Sequence, residues 1–227
     1  MKANSTNSMV SIIHRAKLFI TCASEAWPSE KKRLQDALDI KIKSLLHNTK
    51  KSLGFEVNFD FGIFFPRVFR EKGGFDVVIG NPPYIQLQTD KGKLANLYKN
   101  SNYYSFTKTG DIYCLFYEKA NQLLNQKGIV CYITSNKWMR ASYGEKLRKY
   151  FSVKTQPITL IDVGPGAFET ATVDTNILIF ASGVAVNAFH ACLLDLKTKL
   201  SIYEYVNRNS IIINGSFSFQ VGSPTLL

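Results

Sequence analysis

Phe75-Asp76-Val77-Val78-Ile79-Gly80-Asn81-Pro82-Pro83-Tyr84 joins an apolar run to a rigid, polar cap. Residues 75–79 have the length and β-branched content of a buried strand. An amide, two prolines and an aromatic ring at the carboxyl end of such a strand have little value as packing. As a clamp for a planar amino group they have a clear use. Asn-Pro alone is a common turn starter, and a tyrosine after a turn is often a packed ring. The complete tetrapeptide behind a strand favours the clamp.

The chemistry explains the residue types. An exocyclic amine on a nucleobase is a poor nucleophile, because its lone pair is delocalised into the ring. Accepting hydrogen bonds from both of its N–H groups pulls the nitrogen toward a tetrahedral shape and frees the lone pair. Two acceptors are needed, close together and rigid. The Asn81 side-chain oxygen can be one and the Pro82 carbonyl the other. Pro82 and Pro83 carry no N–H that would compete as a donor. Pro83 also restrains Pro82 to an extended conformation. Tyr84 offers a flat face on which a base can stack.

The 227 residues suffice for one substantial domain, and an apolar content of 45% fits a globular fold. No apolar run approaches membrane-spanning length, and Met9-Val10-Ser11-Ile12-Ile13 is interrupted by His14, Arg15 and Lys17, unlike a signal peptide. Cys22, Cys114, Cys131 and Cys192 show no Cys-x-x-Cys spacing, so buried free thiols are expected rather than bridges or a metal site. These features point to a reducing, cytoplasmic setting without a membrane partner. The net charge of +11 is uneven: +6 over residues 1–74, +7 over 75–155 and −2 over 156–227. The positive excess surrounds the motif, which suits a polyanionic partner; a generally basic, solvated surface is the alternative.

Leu34, Leu38, Ile42, Leu45 and Leu46 recur at helical spacing, predicting a helix over 28–53 with one apolar face on a core. A Phe-rich connector follows over 55–74. Residues 85–109 read as a long polar loop, in which Lys91, Lys93, Lys99 and Lys108 alternate with Tyr98, Tyr103, Tyr104 and Phe106. That pattern fits either a nucleic-acid-facing loop or plain flexibility. Asp111 reads as the N-cap of a helix to about Leu124, buried through Leu115, Phe116, Ala120 and Leu123. Strands are predicted over 129–134, 158–163 and 176–180, the last two as a hairpin. Ser142 and Glu145 form a capping-box pattern for a short basic helix to about Tyr150. The alternation predicts an α/β fold with a mostly parallel sheet and a terminal antiparallel hairpin. Ligands of such sheets bind beyond the carboxyl ends of the strands, where Asn81, Ser135-Asn136 and the 164–174 loop should gather. Residues 183–227 read as β-prone.

These residues resemble the N6-adenine DNA methyltransferases of the Asn-Pro-Pro-Tyr type, above all the methylase portion of type IIG restriction–modification enzymes. The resemblance covers roughly residues 55–183. It rests on Phe64-Phe65-Pro66-Arg67-Val68-Phe69, Gly73 to Ile85, Gly110-Asp111-Ile112-Tyr113, Gly128 to Trp138, Leu147-Arg148, and Gly166-Ala167-Phe168 leading into Thr175 to Phe180. It implies a Rossmann-like methyltransferase domain that takes S-adenosylmethionine as donor and double-stranded DNA as partner. Asn81 and Pro82 would accept from the adenine amino group, and Tyr84, behind Pro83, would stack on an extruded adenine. Phe168 would close the base from its other face, a reading favoured over that of a plain hydrophobic plug. On this basis the chain divides into a helical lead-in (1–54), the catalytic part (55–183) and a segment that starts a target-recognition region (184–227).

One departure stands out. The family's donor-binding strand, with its acidic, Gly-rich turn, should precede the motif, yet no glycine occurs before Gly54. Gly164-Pro165-Gly166 lies downstream and reads as a loop hinge, and Asp60 is the one acidic candidate for a donor contact. The expectation is a chain truncated upstream of the motif that works with a missing N-terminal half and a target-recognition domain or subunit. Two other readings stay open: an inactive DNA-binding remnant without a donor site, and a methyltransferase acting on a protein glutamine or an RNA base.

Overall fold

The computed structural model describes residues 59–167, 173–183 and 188–214, together with parts of a helix between 32 and 44. Two compact units divide the chain, Met1–Arg70 and Glu71–Leu227. In the first unit the described residues between 32 and 44 are helical. Leu38 is exposed rather than turned onto a core, contrary to the periodicity, while Leu34, Ile42, Leu45 and Leu46 lie outside the description. The Phe-rich connector is helical in part: Phe61–Phe64 (α1) is capped by Asp60, whose carboxylate accepts from the Ile63 N–H at 3.0 Å. The Phe59 ring stacks on Phe64 at 4.4 Å. Pro66–Lys72 (α2) follows, with proline at its first position, where no N–H is needed.

The second unit contains Phe75–Gly80 (β1), Thr89–Tyr98 (α3), Tyr113–Leu123 (α4), Leu124–Ser135 (β2), Glu145–Lys154 (α5), Thr155–Gly164 (β3), Thr175–Ser182 (β4), Ala188–Leu193 (β5), Ile202–Asn209 (α6) and Ile211–Asn214 (β6). Two short 3₁₀ turns, Asn136–Met139 and Ser142–Gly144, link β2 to α5. The strands form one sheet in the order β1-β2-β4-β3-β5-β6.

The α/β class is as predicted, but the sheet is mixed rather than mostly parallel. β1–β2 and β3–β5 are parallel; β2–β4, β3–β4 and β5–β6 are antiparallel. The reason lies in the connections. Parallel neighbours need a crossover of a dozen or more residues. Residues 81–123 supply one between β1 and β2, whereas the short link from β3 can only return the chain as a hairpin. β4 therefore inserts between β2 and β3 instead of ending the sheet. The β-prone tail also contains a helix, α6, with a complete Ser201–Glu204 capping box that the sequence reading passed over.

β1 is not the buried strand its composition suggests. It is the first strand of the sheet, and Val77 and Ile79 are 37% and 73% exposed. The core lies further in, where Tyr113, Tyr117 and Ala120 of α4 meet Val130, Leu147, Phe151, Leu178 and Phe180. Phe116, expected among them, is exposed. Cys114 and Cys192 are buried free thiols and Cys131 is half-buried and free. Among the described residues, no helix is long and apolar enough to cross a membrane.

Gly128 sets how closely β1 approaches β2. A Cβ there would stand 2.6 Å from the Phe75 carbonyl oxygen and 2.8 Å from the Leu124 Cβ. Gly128→Ala is expected to destabilise the chain by about 1–3 kcal/mol, the usual cost of forced overpacking. Urea unfolding of the full chain measures this, and an unchanged midpoint would contradict the close approach.

Candidate nucleotide-binding edge

Asn81-Pro82-Pro83-Tyr84 leaves the carboxyl end of β1, where Gly80 pairs with Tyr132 of β2. Asn81 and Pro83 are exposed, Pro82 is buried and Tyr84 is half-buried. The Tyr84 hydroxyl donates to the Ile133 carbonyl at 3.4 Å, and its ring meets Tyr113 edge-on at 6.0 Å. Burial pushes the Tyr84 phenol above its ordinary pKa. The chain leaving the motif is tied down at once: the Leu87 N–H donates to the Gly110 carbonyl at 2.8 Å, and the Ile112 N–H to the Ile85 carbonyl at 2.9 Å.

Ser135-Asn136 lies on the same edge, as expected. The Ser135 hydroxyl accepts from the Lys137 N–H and starts the first 3₁₀ turn. The Asn136 amide donates to Asp162 Oδ1 at 3.0 Å, and its backbone N–H to the Asp174 carbonyl at 3.0 Å. The ends of β2, β3 and β4 are thereby drawn together. Gly164 and Gly166 have φ of 67° and 88°, a region that favours glycine, so the Gly164-Pro165-Gly166 turn out of β3 depends on both. Phe168 lies outside the described residues.

Beneath this edge is a polar network that the sequence did not reveal. Asn176, fully buried, accepts through Oδ1 from the Trp138 indole N–H and from the Thr134 hydroxyl, both at 3.1 Å. Indole N–H can only donate, which orients the amide. The Tyr117 hydroxyl joins Thr134 at 2.9 Å. Arg148, also buried, donates to the Trp138 carbonyl at 2.6 Å and the Ala141 carbonyl at 3.0 Å. Burial lowers its pKa, but a guanidinium keeps its charge. Gly144 is required there, because any Cβ would overlap the Trp138 carbonyl. The anticipated Ser142–Glu145 capping box is absent: Gly144 is the N-cap of α5 and makes no side-chain bond.

The stretch 85–109 is a folded insert rather than a loop. Its Leu87 and Ala95 join Ile112 and Leu115 at the start of α4 in a small core, against which Leu94, Tyr98, Tyr103 and Phe106 pack. Tyr98, Tyr103 and Phe106 thus serve in packing, so the segment is not plain flexible loop. The buried Glu118 of α4 pins the insert by accepting from the Tyr104 and Ser105 N–H groups and the Ser105 hydroxyl. Lys91, Lys93, Lys99 and Lys108 remain exposed. α3 begins with three left-handed residues, Asp90, Lys91 and Gly92. A cleft of about 560 Å³ beside the motif is lined by Ile85, Thr89, Asp90, Lys93, Leu94 and Leu97, and the motif residues themselves do not line it. Asp111 is not the expected N-cap: α4 starts after Ile112, which makes no side-chain cap bond, and the Asp111 carboxylate accepts from the Tyr143 hydroxyl at 2.8 Å.

The fold has a counterpart among solved methyltransferase subunits of restriction–modification systems. One from Streptococcus thermophilus, of type I, superimposes with a TM-score of 0.50 at 13% identity, covering 63% of this chain and 34% of that one. At that identity the likeness is one of fold. The chain belongs to the Eco57I restriction-modification methylase family, whose model matches residues 5–168. It is 36% identical over 93 residues to the type II restriction enzyme and methyltransferase RM.Eco57I of Escherichia coli, covering 40% of this chain and 9% of that protein. It is 29% identical over 89 residues to the type II methyltransferase M.BstVI of Geobacillus stearothermophilus, covering 39% of this chain and 16% of that protein. The chain thus matches a small part of the length of these relatives.

Asn176→Ala would leave the Trp138 N–H without its acceptor in the core. The expected loss is about 1–3 kcal/mol for a buried polar group so stranded. Chemical denaturation checks it, and a variant as stable as the parent would show that the network is dispensable.

Proposed function

We propose that this chain supplies the target-base half of an adenine-N6 DNA methyltransferase of a restriction–modification system. The observation that carries the reading is Asn81-Pro82-Pro83-Tyr84 at the open end of β1, with the asparagine exposed and the tyrosine ring partly accessible. Family membership supports a methylase, and the positive excess over residues 75–155 suits DNA as partner.

In this reading the target adenine leaves the duplex, because its amino nitrogen is otherwise shielded. Unpairing costs a few kcal/mol, and stacking on Tyr84 offsets part of it. Asn81 Oδ1 and the Pro82 carbonyl accept from the two amino hydrogens, and Phe168 covers the opposite face of the base. The nitrogen lone pair would then attack an electrophilic methyl carbon as that carbon's bond to its leaving group breaks, and the surplus proton on nitrogen would pass to solvent. No covalent enzyme intermediate is required.

The donor we propose is S-adenosylmethionine, which supplies an electrophilic methyl group on its sulfonium. The described residues do not fit a cradle for it. Among them no strand precedes β1, and Asp60, the acidic candidate, caps α1 through its carboxylate. Donor contacts are therefore assigned to none of the described residues, and a donor-binding partner segment and a target-recognition domain or subunit belong to the same proposal.

Binding of labelled S-adenosylmethionine, with and without added donor-binding polypeptide, separates an active half-enzyme from an inactive DNA-binding remnant. Donor that never binds in either case favours the remnant. Asn81→Ala is expected to abolish methyl transfer to DNA while DNA affinity stays near that of the parent. Tyr84→Ala is expected to weaken capture of an extrahelical base by about 1–3 kcal/mol, the worth of one stacking platform. Parental transfer rates in the asparagine variant would overturn the assignment. Methylated release factor alongside unmodified DNA would move it to the glutamine-modifying class.

A further inference from the structure

We propose that Asp111, Tyr143 and Tyr113 form a hydrogen-bonded brace that positions the ring of Tyr84. The three are positioning residues, and the purpose of the brace rests on Tyr84 being the platform for a base. Gly110-Asp111-Ile112-Tyr113 stood out in the sequence, and nothing in the function described so far uses it.

The geometry runs in one direction. The Tyr143 hydroxyl donates to Asp111 Oδ2 at 2.8 Å, and the Tyr113 hydroxyl lies 2.8 Å from that of Tyr143. A phenol has one proton to give. Tyr143 spends its proton on the carboxylate, so Tyr113 must donate to Tyr143. The relay ends on Asp111, where a charge-assisted bond is strongest. Burial pushes the phenols of both Tyr113 and Tyr143 well above their ordinary range, so both keep their protons at any working pH. With its hydroxyl anchored, the fully buried Tyr113 meets the Tyr84 ring in a T-shaped contact, with centroids 6.0 Å apart and an interplanar angle of 79°.

The same short segment holds the other side of Tyr84. Gln86 bridges to Asp111, and the backbone bonds from Leu87 to Gly110 and from Ile112 to Ile85 fix the chain immediately after the motif. The direct bond of Tyr84, to Ile133, is long at 3.4 Å and holds the ring weakly. The orientation of the platform therefore depends on its contact with Tyr113, and through it on Asp111.

Tyr143→Phe removes the middle hydroxyl and keeps the ring. With the full chain labelled at tyrosine ring carbons and the Tyr84 signals assigned through Tyr84→Phe, this variant is expected to shift or broaden the Tyr84 resonances without any DNA. Asp111→Asn retains an acceptor oxygen and is expected to leave them close to the parent. Unaltered Tyr84 resonances in Tyr143→Phe would overturn the brace. The second readout is capture of a 2-aminopurine placed opposite an abasic site in a duplex. Tyr143→Phe should weaken capture roughly fivefold or more, the lower end of what one stacked base contributes. The same change in a Tyr84→Ala background should add less than about twofold if the brace acts through Tyr84. Equal losses in both backgrounds would overturn it. A parent chain that never alters 2-aminopurine fluorescence would sink the base-pocket reading instead, while the ring resonances still judge the brace.

Discussion

The parallel pairing of β1 with β2 is the constraint on which the rest of the molecule depends. It sets Gly80 against Tyr132 and so delivers Asn81-Pro82-Pro83-Tyr84 to the edge where Ser135 and Asn136 emerge. Such a pairing cannot form through a tight turn, and the connection runs through the crossover helix α4, which packs on the sheet. Tyr113 and Tyr117 supply that packing. Close approach is permitted by two glycines. Gly74, with φ of 150°, lies where any Cβ would strike the Leu123 carbonyl, and Gly128 faces Phe75. A larger side chain at either would move the strand that carries the motif.

Buried polar groups then fix the edge. Asn176, Glu118 and Arg148 each sit in the interior with at least one partner drawn from a loop or turn. In a medium of low dielectric such bonds are strong when complete and costly when broken. Each joins a regular element to an irregular one: β4 to the Asn136–Met139 turn, α4 to the insert, α5 to the link at Trp138–Ala141. Irregular backbone that would otherwise fluctuate is thereby held relative to the sheet. Positioning chemistry on loops requires such anchoring, because loops lack a ladder of their own.

The division of labour follows from what the chain contains. In the proposed reading the described residues present a surface to a base, and residues 75–155 carry a net charge of +7. Membership in the Eco57I restriction-modification methylase family places that surface among enzymes much longer than this chain. Exposed Val77 and Ile79 on β1 belong to the same picture of a sheet edge that ends in apolar side chains.

Much of this was legible in the residues. The motif strand, the strands around 129–134, 158–163 and 176–180, and the hairpin between the last two follow from local apolar runs and turn residues, which act over a few positions. The clamp chemistry was read from the residues alone, because amide, proline and phenol have fixed donor and acceptor inventories, and it stands as a proposal. What tertiary structure alone decided is who sits beside whom. Strand order depends on connection lengths and on which faces can pack, so β4 entered the sheet between β2 and β3 and β1 lay at the edge. The roles of Asp111, Glu118 and Asn176 were equally invisible. A single polar residue reads as a cap or a solvated side chain until the fold brings a distant hydroxyl or indole to it, and the pairing of residues dozens of positions apart leaves no periodic trace along the chain.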